Sequence, residues 1–142
     1  MNYYTLEPEV AGGCINRFID QDNLTPVAGV MRYMFSVWLG DELLAGYPVF
    51  ICTDKVAVLV IQEHLTGAEI ADVEITIDEE YSDYHPDADL PHFHWLKIVG
   101  VPGKDDFGNS PTVELVVSEK ALKVLRRTKI DNATITPYTG EG

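Results

Sequence analysis

The hydrophobic and polar positions alternate along several stretches of the chain. Segment 31–39, "MRYMFSVWL", puts Tyr33, Phe35, Val37 and Leu39 on one face and Arg32, Met34, Ser36 and Trp38 on the other. That period of two predicts a strand with one strongly apolar face. Gly40-Asp41-Glu42 follows as a turn. Segment 70–78, "IADVEITID", predicts a second strand, with Val73, Ile75 and Ile77 inward and Asp72, Glu74, Thr76 and Asp78 toward water. Segment 93–101 reads as a further strand, "PGKDDFGNSP" (102–111) as a long hairpin turn, and 112–117 as the returning strand.

The most informative pattern is an internal echo at an offset of 65 residues. "PVFICTDKVAVLVIQEHLTGAEI" (48–70) lies over "VELVVSEKALKVLRRTKIDNATI" (113–135) without a gap. Thr53 matches Ser118, Asp54 matches Glu119 and Lys55 matches Lys120; Leu65 matches Ile130 and Gly67 matches Asn132. Each unit reads as an apolar strand ending at a Ser or Thr that can N-cap a helix. An acid follows in the first turn, where the helix dipole favours it. The helix then runs to a Gly or Asn able to take the left-handed position, and a second strand follows. On propensity alone "VAVLVI" is a strand; register with "ALKVLRR" predicts a helix instead. The expectation is one α+β domain over 1–142, with helices near 54–64 and 119–129 on a mixed or antiparallel sheet. A duplicated strand–helix–strand core would produce the echo; so would a coincidence of common caps and stops.

Composition narrows the function. A length of 142 residues suits a single core, and an apolar fraction of 46% argues against disorder. The net charge of −13 argues against nucleic acid and against an anionic membrane surface, and permits a cationic partner. The opening "MNYYTLEPEV" has no basic region followed by an apolar one, and the longest apolar run, Val56 to Ile61, is too short to span a bilayer. A reducing cytoplasm is the expected location. Charge is also uneven: from Val56 to Leu96 the chain carries ten acids and no Lys or Arg, whereas 118–129 carries five Lys or Arg against one Glu. Two solvated faces account for this. The functional reading is an acidic recognition surface made of Asp78, Glu79, Glu80, Tyr81, Asp83, Tyr84, Asp87 and Asp89, with the tyrosines as anchors.

The segment "HPDADLPHFHW" (85–95) concentrates His85, His92 and His94. His-x-His on a strand points both imidazoles to one face, which suits a metal, with His85, Asp87 or Asp89 as a third ligand. The same alternation aligns His94 with Leu96 and Ile98, so His94 sits at a core rim and His92 at the strand mouth. The commoner fate of a rim histidine is a bond to a backbone carbonyl. Cys52 precedes a helix N-terminus, where a thiolate would be stabilised, yet it lies in the apolar "VFIC" and reads as an inert core cysteine. Cys14 follows two glycines, a short and unspecific signal. No nucleophile elbow, phosphate loop or dinucleotide fingerprint occurs, and no catalytic set or cofactor is expected.

The opening "MNYYTLEPE" and the closing "ELVVSEKALKVLRRTKIDNATITPY" resemble small bacterial immunity proteins of contact-dependent and polymorphic toxin systems. The matching residues are Tyr3 and Tyr4, then Val117, Ser118, Glu119, Val124 and Leu125, then Ile135 and Pro137, about a third of the chain at its two ends. The resemblance implies a small, cytosolic, non-enzymatic protein that binds and neutralises a cognate toxin, a partner that is often basic. Metal binding through His85, His92 and His94 is the second reading. Self-association through an exposed strand edge is the third.

Overall fold

The computed structural model describes residues 2–16, 18–20, 24–26, 29–79 and 90–138. In chain order the strands are β1 (Tyr3–Glu7), β2 (Glu9–Val10), β3 (Gly12–Cys14), β4 (Ile19–Asp20), β5 (Thr25–Pro26), β6 (Met31–Phe35) and β7 (Leu43–Gly46). They continue as β8 (Val49–Thr53), β9 (Ala68–Ala71), β10 (Val73–Ile77), β11 (Phe93–Ile98), β12 (Phe107–Asn109), β13 (Leu115–Ser118) and β14 (Thr134–Pro137). The helices among the described residues are α1 (Asp54–Gln62) and α2 (Glu119–Leu125). The fold is α+β, with mixed and antiparallel sheets, as the sequence predicts.

Both echoed segments are strand–helix–strand units, β8–α1–β9 and β13–α2–β14. Their likeness extends to pairing. A five-stranded sheet has the order β2-β7-β8-β11-β9, and a four-stranded sheet the order β12-β13-β1-β14. In each, the strand entering the helix and the strand leaving it flank a third strand antiparallel to both: β11 in the first unit, β1 in the second. A hairpin partner, β7 or β12, lies on the outer side of the entering strand. The registers match as well. The cap residues Thr53 and Ser118 stand opposite Phe93 and Tyr3, and Ile70 and Ile135, 65 apart, stand opposite Leu96 and Leu6. Leu96 and Leu6 are both fully buried in one core, together with Phe50, Val56, Leu115 and Leu122 from the two units. The apolar faces of both helices close this core.

Two carboxylates cross-link the units in equivalent ways. In the first, Thr53 donates its backbone N–H to the Glu42 carbonyl and its hydroxyl to Glu42 Oε1. Glu42 Oε2 then accepts from Lys129 N, just beyond α2 of the other unit, at 2.7 Å. In the second, Ser118 donates its N–H to the Asp106 carbonyl and its hydroxyl to Asp106 Oδ1 at 2.6 Å. Asp106 Oδ2 accepts from Thr66 N, beyond α1, at 2.9 Å. Ser118 also caps α2 by accepting from Ala121 N; Thr53 sits at the same position without a side-chain cap bond. Helix α1 further leans on α2 through Arg127 and Glu63, 3.6 Å apart.

A second layer covers the other face of the five-stranded sheet. It is a three-stranded sheet of order β10-β6-β3, and β4 and β5 form a small separate ribbon. Met31, Tyr33 and Phe35 of β6 pack on Leu44, Val49, Ile51 and Phe93. Tyr33 donates its hydroxyl to Ala45 O at 2.9 Å, which satisfies the phenol in an otherwise apolar layer.

Several boundaries differ from the periodic reading, each for a local reason. Strand β6 stops at Phe35, because Ser36 N and Val37 N both turn to Ala11 O and Leu39 N bonds Glu9 Oε2; Val37 and Leu39 are exposed rather than inward. Segment 70–78 is two strands. Ala71 still pairs with Trp95 while Val73 pairs with Met31, so the chain changes sheets at Asp72, and Ile77 is exposed. The long turn contains β12, and the hairpin closes through Val113 at φ 60°, which delays β13 to Leu115. Helix α1 ends at Gln62 because His64, not Gly67, takes the left-handed position (φ 52°). Helix α2 ends at Leu125, whose carbonyl accepts from the Thr128 hydroxyl; Asn132 instead donates to buried Asp41. Gly67 has another use: at φ 91°, its missing Cβ lets the Phe107 carbonyl approach.

The two braces yield a paired prediction. Glu42→Ala and Asp106→Ala each remove a charged acceptor shared by both units, and each should cost about 1–3 kcal/mol in urea unfolding. Losses within about 0.5 kcal/mol of zero, the range of ordinary surface substitutions, would show that the cross-links are incidental.

Candidate functional site: an Asp–His–His cluster

The pairing of β8 with β11 sets Phe93 opposite Thr53 and His94 opposite Cys52. One residue past Thr53 the chain enters α1, so Asp54 lies beside the mouth of β11. Strand alternation sends His92 and His94 to the same face. Asp54 Oδ1 therefore meets both rings: His92 Nδ1 at 3.0 Å and His94 Nε2 at 2.5 Å. The rings stand edge to face with centroids 4.5 Å apart. The three nearest ligand atoms lie within 4.8 Å of one another. His94 is the more enclosed, with its side chain 23% exposed, against 70% for His92 and 64% for Asp54.

The surroundings act on charge. Hydrogen bonds from His94 and then His92 hold the Asp54 carboxyl below its ordinary range. Beneath the cluster, Cys52 is fully buried and its thiol is pushed up to about 12, mainly by burial and then by the Asp54 charge. That agrees with an inert core cysteine and removes the thiolate reading. Both cysteines are free, Cys14 being half-buried beside Met31 Sδ.

The structure brings together two of the three histidines singled out from the sequence. His94 lies at the rim of the core, on the face of Leu96, as alternation predicts, but its partner is a carboxylate rather than a backbone carbonyl. His85, Glu80, Tyr81, Asp83, Tyr84, Asp87 and Asp89 lie outside the described residues. Of the acidic surface, Asp78 is half-buried, with its N–H bonded to Phe35 O, and Glu79 is exposed. Sequence reasoning missed Asp54 as a member of the cluster. The signal was present in the echo, which places Asp54 at the first turn of α1; only the β8–β11 register connects it to His92.

A cleft of about 640 Å³ opens where the two units meet, lined among others by Leu6, Tyr47, Phe50 and Leu115, with Glu7 and Glu114 at its walls. Among the described residues its lining offers no histidine or cysteine. In comparisons with known proteins, no family model matches this chain and no curated protein matches its sequence.

Two measurements check these environments. Cys52 should stay unlabelled by a thiol reagent at pH 8 in the native protein and react only on denaturation. The Asp54 carboxyl is lower in the folded than in the unfolded state, so its stabilising contribution is present above the unfolded value and is lost as pH falls through the folded one. Asp54→Asn should therefore lower the melting temperature at neutral pH, with the gap from wild type closing in strong acid; a gap independent of pH would contradict the assignment.

Proposed function

We propose that this chain is a non-enzymatic binding protein of the immunity type, which neutralises a basic bacterial toxin by covering it with an acidic surface. The observation that carries this reading is the placement of acids on strand edges. β9 is the last strand of the five-stranded sheet and β10 the last of the three-stranded sheet, and they follow one another directly. Glu69, Asp72 and Glu74 are exposed along them and Glu79 follows. Lys97 stands opposite Glu69 and Arg32 lies 3.9 Å from Glu74, so Asp72 and Glu79 carry the excess negative charge. No Lys or Arg occurs in the sequence from Val56 to Leu96. Such an edge resists pairing with a copy of itself, because like charges would meet. It favours a cationic partner by steering its approach. The resemblance of the chain ends to immunity proteins points the same way. Asp78, Glu79, Glu80, Tyr81, Asp83, Tyr84, Asp87 and Asp89 continue this surface in the sequence.

The test is co-purification with the product of the neighbouring gene, followed by binding kinetics at two salt concentrations. Complex formation should slow markedly at high salt. Replacing Asp83, Asp87 and Asp89 together by Asn should lower the association rate by about tenfold or more. Unchanged binding by that variant would exclude this surface, and failure to capture the toxin would exclude the function.

A further inference from the structure

We propose that Asp54, His92 and His94 form a site for a single divalent transition metal of the zinc class. Two imidazoles and one carboxylate are the donor set that suits zinc, cobalt or nickel rather than calcium or magnesium, which prefer all-oxygen shells. The donors converge from rigid elements. His94 stands on β11, held by β8 and β9 on either side, His92 directly precedes that strand, and Asp54 opens α1. A tetrahedral ion with bonds of about 2.0–2.2 Å sets its donors about 3.3–3.6 Å apart, so the hydrogen bonds of 3.0 and 2.5 Å between Asp54 Oδ1 and the ring nitrogens would open to admit it. Shifts of about 1 Å or less by exposed side chains would admit bonds of about 2.0–2.2 Å.

The internal symmetry supplies an independent reason. The registers that relate the two units set His94 on Tyr4, His92 on Asn2 and Asp54 on Glu119. There Glu119 N bonds Asn2 O, and the strand-to-helix corner forms without a histidine. The fold therefore does not require imidazoles at this corner. They are an addition to one unit, and both face one carboxylate. Three protein donors leave a fourth position for water or for a donor from a bound protein. Occupancy would tie the start of α1 to the entry of β11, the strand that the chain joins directly after the acidic segment.

The experiment uses the full chain without an affinity tag. Zn²⁺ titration by calorimetry should give one site per chain, and Ca²⁺ and Mg²⁺ none. Co²⁺ should give the visible absorption of a low-coordinate ion. Asp54→Asn and His92→Ala, at exposed side chains whose loss leaves the core intact, should each weaken Zn²⁺ binding by at least about tenfold. His64→Asn, outside the cluster and compatible with the left-handed backbone there, should leave it unchanged. No Zn²⁺ uptake at one per chain, uptake indifferent to both cluster variants, or equal loss in the His64 variant would each overturn the site. Because none of these readouts involves the toxin, the metal site and the binding function stand or fall separately.

Discussion

Glu42 and Asp106 each accept hydrogen bonds from both halves of the molecule and so bridge the seam over the shared core. A hydrogen bond to a charged acceptor is stronger than a neutral one and more damaging to break. Each carboxylate fixes the corner where a strand becomes a helix and, with its second oxygen, the loop that follows the other helix. The helices are thereby held side by side, and the apolar faces of β1, β8, β11 and β13 close over the same core. Without the braces the units would still share the apolar core, the bonds of Asn132 to Asp41 and the backbone bonds from Glu42 to Lys129 and from Phe107 to Thr66, but Lys129 N and Thr66 N would lose their carboxylate acceptors at the seam.

This arrangement gives the 65-residue echo a physical content. The matching of Thr53 with Ser118 is a matching of the residues that bond the braces, and the matching of Ile70 with Ile135 is one of strand register. Where the units agree, the fold accounts for the residue. Where they differ, the fold leaves the choice free. The Asp54–His92–His94 corner against Glu119–Asn2–Tyr4 is such a place, and so is the charge of the surface: acids on β9 and β10, basic residues on α2.

Much of the frame was legible in the sequence. The helix over "VAVLVI", against its β propensity, followed from register with α2, and the faces of β6 and β11 followed from alternation. What escaped were long-range hydrogen bonds. Periodicity carries no trace of Glu9 drawing Leu39 N to itself, so Val37 and Leu39 read as core. Nor does it record the crossing from one sheet to another at Asp72, because alternation continues through it. The two histidines could be found by spacing, as they sit two residues apart at the entry of one strand. Asp54 could not, since its proximity depends on a pairing between residues about forty positions apart. Gly67 and Asn132 were read as helix stops because their residue types allow it; their actual tasks, admitting the Phe107 carbonyl and binding Asp41, belong to the other unit.

The second unit is assembled from both ends of the chain. The strand at its centre, β1, spans residues 3–7, while its partners β13 and β14 lie more than a hundred residues later. The first unit is contiguous, from β7 to β11. Order of synthesis therefore separates the two halves in time. By the time β11 has emerged, the first unit can close, whereas β1, made earlier, still has both its edges unpaired. Loop closure over that distance is entropically unfavourable and slows folding. Strand β1 is thus among the last segments to find its place, and during that interval its unpaired edges are open to pairing with another molecule.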